Sequence, residues 1–153
     1  MKKLLKSAGL VVTLIMAVMY MSSNASAQSS HDCSKYVDKM VTVLNRLTTS
    51  VNQCQTMEQF SAIDFDNLTG GLGIDEMPDE CGSYKLTKGD KDKINAAWDN
   101  VIDAMENKFV VFTGGMLTRQ QIKSETDPLR MAFKSAINKS VTFNDLTNNL
   151  SNM

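Results

Sequence analysis

The clearest pattern in the chain is a stripe of apolar side chains that begins shortly after residue 34. The apolar residues recur at spacings of 3, 4, 3, 4 and 3, at Val37, Met40, Leu44, Leu47, Val51 and Cys54. This spacing is typical of one face of an amphipathic helix that packs lengthwise on its neighbours. Asp32 or Ser34 can cap its start, and looser apolar positions continue the stripe. The pattern therefore predicts a first helix over residues 34–61.

A second apolar stripe follows a capping signal. Thr87-Lys88-Gly89-Asp90 has the form of a capping box, in which two side chains each accept the other residue's backbone N–H. Helically spaced apolar residues come next, at Ile94, Trp98, Val101, Ile102, Met105, Phe109 and Phe112. Gly114 and Gly115 supply the left-handed backbone that ends a helix, so we predict a second helix over residues 88–112. The run 109–112 is aromatic and β-branched, and a short strand is the alternative there.

The third apolar stripe carries two start signals. Thr118 with Gln121 repeats the capping pattern, and Asp127-Pro128 offers a second start because proline suits the first helical position. The stripe consists of Leu117, Ile122, Leu129, Phe133, Ala136 and Ile137. We therefore predict a third helix that is broken near Thr126.

Residues 63–86 show no sustained period. Glycine and proline punctuate this stretch and favour turns, at Gly70, Gly71, Gly73, Pro78 and Gly82. A connection of this length in a compact domain is usually tied down, and Cys81 offers the means. We predict that it forms one long ordered connection.

Together these patterns predict an all-α protein. The expected architecture is a small antiparallel bundle of three to four helices with one long ordered connection, the last helix being a short one capped by Thr142. The residues expected in its core are Leu44, Leu47, Val51, Trp98, Val101, Met105, Leu129 and Phe133.

The first 27 residues have the three parts of a signal peptide. Three lysines form a basic start, residues 8–21 form an apolar stretch, and Ala25-Ser26-Ala27 forms a cleavage site. The apolar stretch is shorter than the roughly 20 residues that a bilayer span needs. We expect residues 28–153 to form a single helical domain that is periplasmic or secreted, with no membrane span after signal cleavage.

Removing the signal changes the charge of the protein. The whole chain carries 16 basic and 17 acidic side chains, and loss of the three signal lysines lowers the net charge from −1 to −4. A mildly acidic domain lacks the basic surface that nucleic-acid binding requires. We therefore expect no nucleic-acid partner.

Three cysteines, Cys33, Cys54 and Cys81, lie in a chain that we expect to be exported, where disulfides persist. In a continuous first helix Cys33 and Cys54 are 21 residues apart, about 31 Å at 1.5 Å per residue, beyond the roughly 7 Å limit between bonded Cα atoms. We predict a Cys54–Cys81 disulfide because Cys54 adjoins the connection that holds Cys81. Cys33 is then left free or joins two chains in a dimer. Three unpaired thiols are the alternative.

The sequence offers few groups for catalysis. Its one histidine, His31, lies just behind the predicted cleavage site, in a leader that we expect to be solvated. A Ser-His-Asp triad and a histidine-rich zinc site both need histidine within the folded body. The Cys-x-x-Cys spacing of redox enzymes does not occur. We predict no catalytic centre, no cofactor and no metal site.

Acidic residues gather in the connection, at Asp64, Asp66, Asp75, Glu76, Asp79 and Glu80. Carboxylates at this density can hold Ca²⁺. The spacing of an EF-hand loop nevertheless fails at Leu68 and Thr69. Solvated loop charge is therefore the preferred interpretation. The candidate interaction residues are Asp75, Glu76, Asp79 and Glu80.

The leading functional hypothesis follows from this chemistry. We expect a non-enzymatic module that binds a protein partner. The alternative is a ligand- or ion-binding protein that uses the acidic 64–80 connection. An enzyme of an unfamiliar type is a third hypothesis, and two converging carboxylates in a pocket would be its structural sign.

Overall fold

The computed structural model describes residues 32–73 and 77–153. Six α-helices occur in these two ranges: α1 Ser34–Gln53, α2 Met57–Ser61, α3 Phe65–Thr69, α4 Lys88–Phe112, α5 Arg119–Lys139 and α6 Phe143–Ser151. A 3-10 helix spans Asp79–Ser83. The predicted all-α class is confirmed, with four substantial helices. The strand alternative at 109–112 is wrong, since these residues form the last turn of α4.

The predicted capping signals place the helix starts correctly. The Thr87 hydroxyl accepts the Asp90 backbone N–H at 3.1 Å, and an Asp90 carboxylate oxygen accepts the Thr87 N–H at 2.9 Å. The same reciprocal pair begins α5 at Thr118 and α6 at Thr142. Each box satisfies first-turn N–H groups that have no partner inside the helix, which fixes where the helix begins.

The first helix is shorter than the stripe predicted. It ends at Gln53, because Cys54 is extended and Thr56 then caps the separate helix α2. The Thr56 hydroxyl accepts the backbone N–H of Gln59 at 3.3 Å. Phe60 of α2 remains in the core, and its ring meets that of Phe109 edge-on at 5.2 Å. The apolar pattern continued past residue 54 because α2 packs on the same core.

The predicted break near Thr126 is also wrong, because α5 is continuous through Pro128. Thr126 is buried, and its hydroxyl donates to Glu106 of α4 at 2.8 Å. Pro128 is exposed. Ser124, whose carbonyl loses its usual N–H partner to the proline, is exposed as well. The Thr126–Glu106 hydrogen bond ties this part of α5 to α4.

The long helices are not all antiparallel. Near the start of α1, Asp38 lies 2.9 Å from Lys93 Nζ of α4. Just past the end of α1, the Cys54 carbonyl accepts from Lys108 Nζ at 2.9 Å. Residue numbers thus increase in the same direction, so α1 and α4 are parallel. The predicted antiparallel arrangement holds for α4 and α5, which a two-glycine turn connects.

The parallel arrangement follows from the path of the connection. Arg46 Nη1 donates to the carbonyls of Leu68 at 3.0 Å and Gly70 at 2.8 Å, and Lys39 Nζ donates to the Gly73 carbonyl at 2.9 Å. As the connection advances from residue 68 to 73, its contacts on α1 move back from residue 46 to 39. The chain therefore returns along α1 to the start of that helix.

This return path decides the disulfide. Cys81 is bonded to Cys33, with their Cα atoms 5.3 Å apart, and Cys54 is a buried free thiol. The intramolecular disulfide is confirmed, but the predicted Cys54–Cys81 pairing is wrong. Cys33 is consequently not available to link two chains. The predicted pairing relied on the position of Cys54 beside the connection that holds Cys81. The connection instead carries Cys81 to the opposite end of α1.

The end of the molecule that holds this bond, which we call the disulfide end, is also joined by backbone contacts. The Leu86 N–H donates to the Val141 carbonyl at 2.9 Å, and the Phe143 N–H donates to the Tyr84 carbonyl at 3.2 Å. A Cβ at Gly82 would lie 2.5 Å from the Asn144 side chain. A larger residue at position 82 would therefore require the Asn144 side chain to move away from the 3-10 helix.

Trp98 lies at the centre of the core. It is fully buried, and its ring stacks on that of Phe133 with centroids 4.2 Å apart. The predicted core residues are buried except Leu129, which is half-buried. None of the helices in residues 32–73 and 77–153 combines the length and the apolar run that crossing a bilayer would take.

Candidate functional site

The most concentrated charge in the described structure lies between α4 and α5. Asp99, Asp103 and Glu106 are spaced by four and three residues, so they share one face of α4. Arg130 of α5 reaches all three carboxylates. Its Nη1 lies 3.2 Å from Asp99, and its Nη2 lies 2.7 Å from Asp103 and 3.0 Å from Glu106. One guanidinium thus ties three turns of α4 to α5.

The charge of Arg130 is strongly stabilised. Its side chain is only 19% exposed, and this burial opposes the charged form. Hydrogen bonds to Asp103 and Glu106 outweigh the burial, so the pKa of Arg130 is raised above its ordinary value. Lys134 adds a contact of 2.6 Å to Asp99. These ion pairs hold α4 and α5 in register.

Glu106 is the buried member of this network. Its side chain is 3% exposed, and one carboxylate oxygen accepts from both the Thr126 hydroxyl and Arg130. A carboxylate buried this deeply is costly unless it is paired and hydrogen-bonded. Its partners therefore explain why it can be buried, and they indicate a role in joining the two helices.

A cleft of about 470 Å³ opens beside the network. Its lining residues are Asp103, Glu106, Arg119, Gln120, Lys123, Asp127 and Arg130. Glu106 is the last acidic residue of α4 in the cleft. Arg119 and Lys123 line the cleft nearer the start of α5. Both are exposed, and neither forms an ion pair within the part of the chain that the structure describes. One end of the cleft thus carries two cations without acidic partners.

The last turn of α4 and the turn that follows it carry two exposed apolar side chains. Val111 is 63% exposed and Met116 is 85% exposed. Gly114 and Gly115 adopt positive φ angles of 59° and 77°, as their place in the sequence predicts. We call Val111, Met116, Arg119 and Lys123 together the turn surface. It joins apolar side chains to unpaired cations within 13 residues of chain.

The acidic connection does not form a metal site in the described residues. Asp64 caps α3, since its carboxylate accepts the Asp66 N–H at 3.0 Å. Asp79 and Glu80 are exposed on the 3-10 helix. Within residues 32–73 and 77–153, no group of three or more potential ligands among His, Cys, Asp and Glu comes together. Asp75 and Glu76 lie outside the described residues, so ion binding by this segment stays a prediction.

The predicted signal peptide, residues 1–27, and His31 also lie outside the described residues. The prediction that His31 has no catalytic role is therefore not tested.

Cys54, the cysteine outside the disulfide, is buried just past the end of α1. Burial raises the pKa of its thiol, although Lys108 nearby opposes this, and its Sγ lies 3.2 Å from the Ser50 carbonyl. A buried thiol with a raised pKa is a poor nucleophile.

A second polar cluster, at the disulfide end, is structural. Asp90 accepts hydrogen bonds from the Tyr84 hydroxyl at 3.0 Å and from the Thr87 backbone N–H and hydroxyl. Burial alone would raise the pKa of Asp90, but these hydrogen bonds lower it below its ordinary value. Burial and the hydrogen bond to Asp90 raise the pKa of Tyr84. The cluster fixes the start of α4.

The candidate cleft was missed at the sequence level, although its residues are regularly spaced. Acids at 99, 103 and 106 and cations at 119, 123, 130 and 134 each follow a helical period. That signal shows a charged face on each helix, but not that the two faces meet.

Comparison of the chain with protein-family models, with curated proteins and with solved structures finds no match. The candidate site therefore rests on its geometry.

Proposed function

We propose that this protein is an exported, non-enzymatic helical module that binds a protein partner through the turn surface. The observation that carries the proposal is the exposure of Val111, in the last turn of α4, and of Met116, in the turn that leads into the cleft-lining start of α5. Apolar side chains in this position cost free energy in water and gain it when a partner covers them. Methionine is suited to such a surface because its flexible side chain adapts to the partner.

The scaffold supports the proposal. A binding surface gains affinity when it is held in place before the partner arrives. Arg130 and Glu106 hold α4 against α5, and the Cys33–Cys81 bond holds the opposite end of the molecule. A disulfide is compatible with an oxidising compartment outside the cytoplasm. We propose a periplasmic or secreted location on this basis and on the signal-like first 27 residues.

Other exposed apolar residues provide a matched control. Met131 is 70% exposed on α5, and Val141 is 59% exposed in the linker before α6. Single apolar residues scattered over a surface are normal and need no partner. The proposal therefore assigns binding to Val111 and Met116, and none to Met131 and Val141.

The experiment compares two double variants that remove equivalent side chains. Tagged protein, Val111→Ser/Met116→Ser and Met131→Ser/Val141→Ser are used to capture partners from an envelope extract of the producing cells. The proposal expects a defined protein that the wild type and the second variant retain, and that the first variant loses by about tenfold or more. Equal capture by all three proteins, or loss with the second variant only, would contradict the assignment. Circular dichroism confirms that each variant is folded.

A further inference from the structure

We infer that the partner segment bound at the turn surface is acidic and places carboxylates against Arg119 and Lys123 in the α4–α5 cleft. This inference rests on the proposed function and adds the chemistry of the partner. The two cations are four residues apart on one helix face, so both can contact neighbouring acidic side chains of one short segment. Met116 precedes Arg119 by three residues in the chain and is exposed, so it can take an apolar side chain of the same segment.

Within the described residues, the cations at the Arg119 end of the cleft form no ion pairs. Each cation nearer the other end has acidic partners, since Arg130 contacts three carboxylates of α4 and Lys134 contacts Asp99. No described acidic side chain forms an ion pair with Arg119 or Lys123. Opposite charges in a binding partner would complement these two cations and orient the segment along the cleft.

The local helix dipole does not favour the placement of Arg119. Arg119 is the first residue of α5, where the dipole favours negative charge, and the first turn of α5 contains no acidic residue. The helices α4 and α6 instead carry Asp90 and Asp145 in their first turns. A sequence that departs from local preference at a surface cleft is expected to do so for function.

The remaining charges in the cleft favour a short acidic segment over an extended polyanion. Asp103 and Asp127 also line the cleft, and their carboxylates are about half exposed. A polyanion or a uniformly anionic surface would bring negative charge against them, which is repulsive. A polypeptide can place acidic residues at Arg119 and Lys123 and neutral or basic residues beside Asp103 and Asp127.

The test uses two matched synthetic peptides as probes. One blocked peptide contains Glu, Leu and Ser, and the other replaces every Glu with Gln. Each is titrated into isotope-labelled protein, and binding is followed by NMR through the backbone amides of residues 116–123. Saturable binding of the Glu peptide is expected, with an affinity at least about fivefold higher than that of the Gln peptide, because each exposed ion pair contributes a factor of about 1.5 to 5.

Charge variants locate the interaction. The affinity for the Glu peptide should decrease stepwise from wild type to Arg119→Gln/Lys123→Gln and then to Arg119→Glu/Lys123→Glu. The control is Lys139→Glu, which reverses an exposed cation in the last turn of the same helix and should leave affinity unchanged. Glutamate is favoured at the start of a helix, so the reversed variant is expected to fold.

Three results would overturn the inference. The first is equal affinity for the Glu and Gln peptides, and the second is equal loss of affinity in Lys139→Glu. The third is binding to vesicles of phosphatidylglycerol and phosphatidylethanolamine without binding to either peptide. Partner capture separates this inference from the proposed function: a partner lost with Val111→Ser/Met116→Ser but retained by Arg119→Glu/Lys123→Glu would leave the proposed function standing without acid recognition.

Discussion

The two ends of α4 are built differently. At its amino-terminal end, Asp90 is hydrogen-bonded to Tyr84 and Thr87, and the nearby 3-10 helix is covalently attached to the start of α1. At its carboxyl-terminal end, Val111 and Met116 are exposed beside two cations that have no partner in the described structure. The polar groups named at the disulfide end are thus bonded to one another, whereas the named groups of the turn surface are left for a partner to contact. Under the proposed function, stability and partner recognition depend on opposite ends of one helix.

Removal of the disulfide should give the largest effect on stability. The Cys33–Cys81 bond closes a sequence separation of 48 residues, which corresponds to about 4 kcal/mol in the chain-entropy model. We expect Cys33→Ser/Cys81→Ser to lose about this much free energy of unfolding, measured by urea denaturation. Cys54→Ala is the control, with a cost of about 1 kcal/mol for a small buried side chain. A similar loss in both proteins would show that the disulfide end does not depend on its bond.

Removal of the buried carboxylate tests how the turn surface is held. Glu106→Ala leaves the Thr126 hydroxyl without its acceptor on α4 and removes one of the three α4 carboxylates from Arg130. We expect a loss of about 2 kcal/mol or more in the free energy of unfolding. The matched variant is Asp103→Ala, which removes a half-exposed partner of the same arginine and should cost about 1 kcal/mol or less. Equal costs would contradict the special role of burial at Glu106.

The Asp90 cluster predicts a pH dependence for the disulfide end. Because the pKa of Asp90 is lowered in the folded protein, its contribution is fully present above the unfolded value of about 3.9 and is lost as pH falls through the folded pKa. We expect Asp90→Asn to destabilise the protein by about 1 kcal/mol at neutral pH. Its stability should also decline less than that of the wild type between pH 5 and pH 2, measured by urea denaturation across that range. If the free energy of unfolding of both proteins fell equally between pH 5 and pH 2, carboxylates other than Asp90 would cause the acid sensitivity.

The smallest effect on stability concerns Arg119, and here we expect the substitution to stabilise the protein. Arg119→Glu places a negative charge at the start of α5, where the helix dipole favours it. We expect a gain of about 0.3–1 kcal/mol at low salt, which should diminish as ionic strength rises. Lys139→Glu in the last turn of the same helix should instead destabilise the protein. A loss of stability in Arg119→Glu, measured by thermal unfolding at two salt concentrations, would show that the arginine has a structural role.

Much of the local structure could be predicted. The start of α4 at Lys88 and its end at Phe112 agree with the predicted bounds, because the capping box at Thr87 and the glycines at 114 and 115 act over a few residues. The burial of Trp98 and Phe133 followed from their helical spacing. The break between α1 and α2 was missed, since both helices bury apolar residues on the same core and the periodicity therefore runs across the break.

The candidate site could not be predicted in the same way. The charged faces of α4 and α5 are visible as spacings in the sequence, but the network needs Arg130 to lie opposite Asp99, Asp103 and Glu106. That register depends on the length of the turn and on Thr126 reaching Glu106. The acidic residues of the connection, although dense in sequence, are distributed along its path, and the described ones do not converge.

The sequence by itself determined the helical class, the positions of the capping boxes and the side chains of the core, because these depend on contacts between residues close together along the chain. Only the tertiary structure decided the disulfide partner, the parallel direction of α1 and α4, and the cleft with its two unpaired cations. The path of the connection decided the first two, and it is fixed by Arg46 and Lys39 donating to backbone carbonyls. Any residue offers a carbonyl, so no side-chain pattern in the sequence marks that path.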